Sequence, residues 1–149
     1  MRAVVQRTSR AEVRIGGELY SQIRQGFLVF LGIGQQDTQV DADYICQKLA
    51  GLRIFEDEAG KMNLSLQDVG GELLLVSQFT LLGDCRKGRR PSFTDAMLPE
   101  AARQLYEYCE KQLRESGILV KTGRFGADMQ IELINDGPVT MLLDSGRMF

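Results

Sequence analysis

Asn135-Asp136-Gly137-Pro138-Val139-Thr140 is the stretch on which this chain's fold turns. It lies between two apolar runs, Met129 to Ile134 and Val139 to Leu143, and both have the composition of strands. Asn, Asp, Gly and Pro are turn formers, so the stretch reads as the connection of a β-hairpin. Pro138 has no N–H to donate, and an X-Pro bond has only a weak preference for trans. A Gly-Pro step can also set two bare carbonyls, with no side chain on the glycine, against a group that must fit closely. The residues alone leave the isomer open.

The strands that such a hairpin would join are announced upstream. Ala3, Val5 and Arg7 share one face by period two, with Arg2, Val4, Gln6 and Thr8 on the other. Arg7 therefore ends an apolar row at the rim of the core, where a charge paired with a carboxylate is the ordinary expectation. Val13 and Ile15 alternate into Gly16-Gly17, a two-residue hairpin signal, and Leu19 to Ile23 return. Phe27 to Ile33 is a nearly continuous apolar run and predicts a strand covered on both faces. Glu72-Leu73-Leu74-Leu75-Val76 predicts a second central strand, and Leu119 to Thr122 another. Asp37 or Thr38 caps a helix whose buried face is Val40, Tyr44, Ile45, Leu49 and Leu52. Pro99 starts a second helix with a stripe of Ala102, Leu105, Tyr106, Cys109 and Leu113, and Gly117 stops it. The whole predicts an α/β (mixed α+β) fold. Its sheets are curved, barrel-like and largely antiparallel, with two main amphipathic helices in a single domain, 1–149.

Composition removes whole classes of chemistry. The chain has no histidine, which excludes Ser-His and Cys-His catalysis, imidazole acid–base work and His-bearing metal sites. Cys46, Cys85 and Cys109 are an odd number without CxxC spacing and read as reduced thiols of a cytoplasmic protein, not metal ligands. No apolar run approaches the ~18 residues of a membrane helix. Met1-Arg2-Ala3-Val4-Val5 turns polar too early for a signal peptide. Gly32-Ile33-Gly34 fails as a dinucleotide fingerprint because the third glycine position is Asp37. Glu56-Asp57-Glu58-Ala59-Gly60 lacks the alternating oxygen ligands of a calcium loop. Neither a metal nor a cofactor is expected. A net charge of −2 argues against a generally basic nucleic-acid binder and leaves room for a local patch.

Two constellations remain. Ser77, Gln78 and Thr80 stand where a buried strand emerges, and serve either to cap the strand end or to hold a substrate carbonyl. No histidine is available to activate a hydroxyl nucleophile there. Cys85-Arg86-Lys87-Gly88-Arg89-Arg90-Pro91-Ser92-Phe93 is a basic loop. It is either a solvated surface or a phosphate-contacting segment with a stacking ring beside it.

Taken together, Ser77-Gln78-Phe79-Thr80, Gly88-Arg89-Arg90-Pro91-Ser92-Phe93, Gly123-Arg124-Phe125-Gly126-Ala127-Asp128-Met129 and Asn135 to Thr140 resemble the D-aminoacyl-tRNA deacylases, as does Met1 to Arg7. The resemblance runs over essentially the whole chain. Arg89 stands where that family's pattern has Asn. The resemblance implies an editing hydrolase that cleaves the ester of D-aminoacyl-tRNA, and also glycyl-tRNA, as a homodimer with its sites at the subunit interface. It implies a cis Gly137-Pro138 peptide that reaches into the partner's pocket, excludes an L side chain and admits a D residue or glycine. Ser77, Gln78, Phe79 and Thr80 would line the catalytic site, Arg7 would orient the Gly-Pro segment, and Met129 would form pocket wall. Arg86, Lys87, Arg89 and Arg90 would contact the tRNA acceptor end. With no imidazole to call on, the terminal 2′-OH of the tRNA would assist the reaction. Neither DNA nor a membrane is implied as a partner.

Two other classes compete with this expectation. A non-catalytic RNA-binding module needs the basic loop but no fixed, side-chain-free turn. A small-molecule hydrolase or isomerase needs the pocket but not the cationic loop.

Overall fold

A computed structural model describes residues 1–148. In chain order its elements are β1 (Arg2–Ile15), β2 (Glu18–Ile23), β3 (Gly26–Gly32), α1 (Gln39–Gly51), β4 (Arg53–Glu56), β5 (Met62–Ser65), β6 (Glu72–Ser77), a 3-10 turn (Phe79–Leu82), α2 (Pro99–Glu115), β7 (Leu119–Thr122) and β8 (Gln130–Asp144). The main sheet has the order β2-β1-β3-β6-β7, with β8 along the other flank of β1. β1 is antiparallel to β2, β3 and β8, whereas β3–β6 and β6–β7 are parallel. β4 and β5 make a separate two-stranded ladder.

The sheet is buried on both faces, as the unbroken apolar runs of β3 and β6 require. Ala3, Val5, Phe27, Val29, Leu31, Leu73 and Leu75 face α1 and α2 in one cluster. Ala11, Val13, Ile23, Leu28, Leu74 and Val76 form a second cluster made only of strand residues, with Met129 and Ile131 against it. A sheet can cover its own second face only by curling, which gives the barrel-like form. β1 serves both clusters, and its crossing from one to the other coincides with register shifts at Thr8. Gly16 and Gly17 have φ of 60° and 84°, the left-handed pair that a two-residue hairpin demands.

The largest departure from expectation lies in Asn135 to Thr140. The chain does not reverse there. Both apolar runs belong to the one strand β8, and both pair antiparallel with β1, from Arg2↔Asp144 to Gln6↔Thr140 and again from Thr8↔Asn135 to Arg14↔Gln130. Four residues, Asp136 to Val139, stand opposite the single Arg7, so the segment is an extended bulge and not a hairpin. Turn-forming residues permit either outcome. The long partner strand β1, which holds β8 on both sides of the bulge, decides between them.

Both helices form where the periodicity places them, with one correction. The buried face of α1 is Ala42, Ile45, Cys46 and Leu49; Tyr44 and the C-cap Leu52 are half-buried against the same core, and Val40 is 76% exposed. A stripe through 42, 45, 46 and 49 puts position 40 on the opposite side of the helix. Thr38 is the N-cap, and the Asp41 carboxylate accepts its backbone N–H at 2.8 Å. Asp37 instead accepts the Gly34 N–H and pairs with the Met1 ammonium, both at 2.5 Å. In α2 the stripe residues Ala102, Tyr106, Cys109 and Leu113 are buried as expected, and Leu105 is half-buried against the same core. The Tyr106 hydroxyl donates to the Leu75 carbonyl at 2.8 Å and fixes α2 on the sheet, and burial pushes its pKa up.

Candidate active site

Ser77 ends β6, paired with Leu31 of β3, and Gln78 donates its backbone N–H to the Leu31 carbonyl at 2.8 Å. The chain then leaves the sheet as the 3-10 turn. Phe79 and Thr80 open that turn, and N–H groups at the start of a helical turn have no acceptor within it. Phe79 is 58% exposed and Thr80 is exposed as well. The Gln78 amide donates to Thr80 Oγ1. Among the described residues Thr80 has no carboxylate or amine partner, so its hydroxyl is oriented by a neutral amide.

Two features that the sequence left unassigned hold this turn in place. Arg2 Nη1 donates to the Leu81 carbonyl at 2.9 Å, while its Nε donates to the buried Asp144 carboxylate at 3.2 Å. Gly32 lies beneath the turn, where a Cβ would come within 2.7 Å of Leu82 Cδ2, 2.9 Å of Leu81 Cβ and 3.0 Å of the Gln78 carbonyl. The glycine that fails as a nucleotide fingerprint is thus required for close approach.

The basic loop is fixed at its base beside the same turn. Asp84 and Ser92 exchange backbone hydrogen bonds at 2.7 and 2.9 Å. Phe93 packs edge-on to Phe79 with ring centroids 5.1 Å apart. It is half-buried, and this contact ties the base of the loop to the strand-end turn. Arg86 folds back on Asp84 through two side-chain hydrogen bonds of 2.8 Å, and these hold the Asp84 pKa down at about 2. Lys87, Arg89 and Arg90 are exposed and make no ion pair among the described residues. They are the loop's available positive charge.

Arg7 is 6% exposed. Its Nε donates to the Asp136 carbonyl at 3.0 Å and lies 3.3 Å from Asp136 Oδ2, its Nη1 donates to the Ile54 carbonyl at 2.5 Å, and its guanidinium lies 6.0 Å from the Phe55 ring centre. Asp136 is its carboxylate partner among the described residues, so Arg7 fastens the first residue of the bulge to the core. Gly137 and Pro138 are exposed at the crest of the bulge, joined by a cis peptide. A Cβ on Gly137 would fall 2.3 Å from the Val139 nitrogen, so only glycine fits this backbone path. Met129 precedes β8 and packs over Gly123, whose Cβ would lie 2.8 Å from its sulfur.

The register separates these parts. Ser77 is level with Leu31 and Ala3, whereas the bulge is level with Arg7, Phe27 and Leu73. Four residue steps along the strands and three strand spacings across them put the two roughly 20 Å apart within one chain. Arg7, Asp136, Gly137 and Pro138 form one group. Ser77, Gln78, Phe79, Thr80 and the base of the basic loop form another. A single copy does not bring them together.

The comparisons with known proteins agree over the full length. A family model described as D-Tyr-tRNA(Tyr) deacylase matches residues 4–144. A D-aminoacyl-tRNA deacylase of Anaeromyxobacter dehalogenans is 61% identical over 149 residues, and one of Clostridioides difficile is 56% identical, each covering the whole of both chains. Among solved structures, one titled c-Myc DNA Unwinding Element Binding Protein superposes with a TM-score of 0.91 at 46% identity, covering 97% of this chain and 98% of that one. Another, a probable eukaryotic D-amino acid tRNA deacylase, shares the fold with a TM-score of 0.85 at 17% identity, covering 96% of this chain and 98% of its own. The chain belongs to the D-Tyr-tRNA(Tyr) deacylase family.

Proposed function

We propose that this chain is a cytoplasmic editing hydrolase. It cleaves the ester between a D-amino acid, or glycine, and the 3′-terminal ribose of tRNA, and it works as a homodimer. The observation that carries the two-copy site is the separation of the bulge from the strand-end turn. A Gly-Pro crest held out from the sheet by Arg7 has its work to do against another copy. β8 lies at the sheet margin with its outer edge unpaired among the described residues, and Ile134 and Leu142 are exposed along it. Such an edge suits isologous pairing.

In this reading the N–H groups of Phe79 and Thr80 hold the acyl carbonyl oxygen as negative charge develops on it. A water oxygen attacks the carbonyl carbon, and the ribose 3′-oxygen leaves with a proton. The terminal 2′-OH helps to position or activate that water, and Thr80, oriented by Gln78, positions it and forms no acyl intermediate. Gly137 and Pro138 of the second copy set their carbonyls where an L side chain would project. Met129 contributes pocket wall. Rejection by ten-thousandfold needs ~5.5 kcal/mol, which one steric clash with a fixed backbone can supply. Lys87, Arg89 and Arg90 meet acceptor-end phosphates.

The test is to offer pure protein D-Tyr-tRNA, L-Tyr-tRNA, Gly-tRNA and free D-Tyr ester without added metal. Hydrolysis of the D- and glycyl-tRNA alone is the expected result. Attack on the free ester at the same rate would point to a small-molecule hydrolase, and no turnover at all to an RNA-binding module. Substituting 2′-deoxyadenosine at the tRNA terminus should slow the reaction by at least tenfold; an unchanged rate would remove the 2′-OH from the mechanism.

A further inference from the structure

The bulge in β8 is closed at its neck by one side chain. Asn135 Nδ2 donates to the Arg7 carbonyl at 2.9 Å and to the Val139 carbonyl at 3.2 Å. Asn135 is the last β8 residue in register before the bulge, Val139 is the bulge's final residue, and Arg7 is the β1 residue opposite it. One amide therefore ties together the three strand segments that meet where the ladder lapses. We propose that Asn135 is a positioning residue that sets the height and direction of the Gly137-Pro138 crest, and so the discrimination between D and L substrates.

The chemistry specifies the amide. Both bonds need an N–H donor aimed at a carbonyl, and a primary amide has two donors on one nitrogen. Aspartate has the same shape but no donor, and it would face two carbonyl oxygens with negative charge. The other end of the bulge is held differently, by the Arg7 guanidinium on the Asp136 carbonyl and carboxylate. Val139 is buried in the core, so its position is fixed once its carbonyl is held. With both ends fastened, Gly137 and Pro138 have no freedom to tilt as a unit. With the Asn135 clasp gone, the Arg7–Asp136 contact and the apolar seating of the Val139 side chain still hold the bulge, but no hydrogen bond of Asn135 closes its neck. A displacement of ~1 Å at a catalytic site can cost about a hundredfold.

This inference rests on the proposed deacylase reading. The experiment compares parent, Asn135→Asp, Asn135→Ala and Asn135→Ser for kcat and KM on D-Tyr-tRNA and L-Tyr-tRNA, with thermal melts alongside. For the Asp and Ala variants we expect D-Tyr-tRNA kcat to fall tenfold or more, with KM changed less than threefold. The ratio of D to L rates should contract at the same time. Asn135→Ser retains one donor and should fall between them and the parent. Amide hydrogen exchange at Asp136, Gly137 and Val139 should quicken in the same order, while β3 and β6 stay protected. A folded Asn135→Ala enzyme with an unchanged D-to-L ratio would overturn the inference, as would loss of folding in all three variants, since Asn135 would then be a determinant of the fold alone. A parent that does not distinguish D from L would instead sink the deacylase reading. That outcome is visible before any variant is made.

Discussion

If the crest of one copy completes the site of another, two dead enzymes can make a live one. One parent carries Gly137→Ala, whose Cβ would fall 2.3 Å from the Val139 nitrogen and must push the crest out of place. The other carries Gln78→Ala with Thr80→Ala, which removes the Gln78–Thr80 side-chain hydrogen bond from the turn. Each homodimer has two sites that share the same defect, so each should be at background. In a heterodimer one site combines the intact turn of the first chain with the intact crest of the second, and the other combines both defects. Co-expression with two different tags and tandem purification isolates that species. Its activity should be about half of the parental rate per dimer, from one working site of two. The surviving site should keep the parental KM and the parental preference for D over L. Activity no higher than that of the homodimers would show that turn and crest serve the same chain, and would refute the distance drawn from the strand register.

Other consequences are nearer the surface of the structure. Arg7→Ala leaves the carbonyls of Asp136 and Ile54 without their donor, so urea denaturation should show a loss of about 2–4 kcal/mol. It should also reduce the D-to-L ratio, which Arg7→Lys should only partly restore. Removing Lys87, Arg89 and Arg90 together should raise KM for charged tRNA and reduce its salt slope by roughly 2 to 3, at ~0.7–0.9 for each phosphate no longer neutralised. Arg86→Ala alone should change that slope little, because Asp84 already takes its charge. Gly32→Ala should cost about 1–3 kcal/mol by pressing on Leu81 and Leu82 and should lower kcat through the displaced turn. Asp84 should titrate at about 2, and Arg86→Ala should raise it toward, but not fully to, the ordinary carboxylate range in an NMR carboxyl titration, because the backbone N–H of residue 86 still donates to it. Because its folded pKa is depressed, its contribution to loop order is present above the ordinary value and is lost as pH falls through about 2.

What could be read in advance was local. Gly16-Gly17, the stripe of α2 and the two doubly buried strands each depend on residues within one turn or one period, and each formed where it was expected. Val40 was misplaced because an apolar residue at a helix start fits several stripes, and only packing chooses one. The bulge was misread because Asn-Asp-Gly-Pro serves a reversal and an excursion equally well. A pairing of β1 with β8 that spans most of the chain made the difference. The same distance hid the roles of Arg2, Gly32 and Asn135, whose partners lie far from them in sequence or across a register shift. Phe93 and Arg86 looked available in the sequence; Phe93 packs on Phe79 at the strand-end turn, and Arg86 pairs with its near neighbour Asp84.

The bulge also bears on how such a protein can change. Asp136 to Val139 stand opposite the single Arg7, three residues more than a regular ladder would hold, and β8 pairs with β1 on either side of them. Among the described residues they are fastened by the side chains of Arg7 and Asn135 and by the seating of Val139. Gly137 is bound to its path, because a Cβ there would meet the Val139 nitrogen, so change at the crest is confined to substitutions that keep this backbone while the β1–β8 pairings on either side stay as they are.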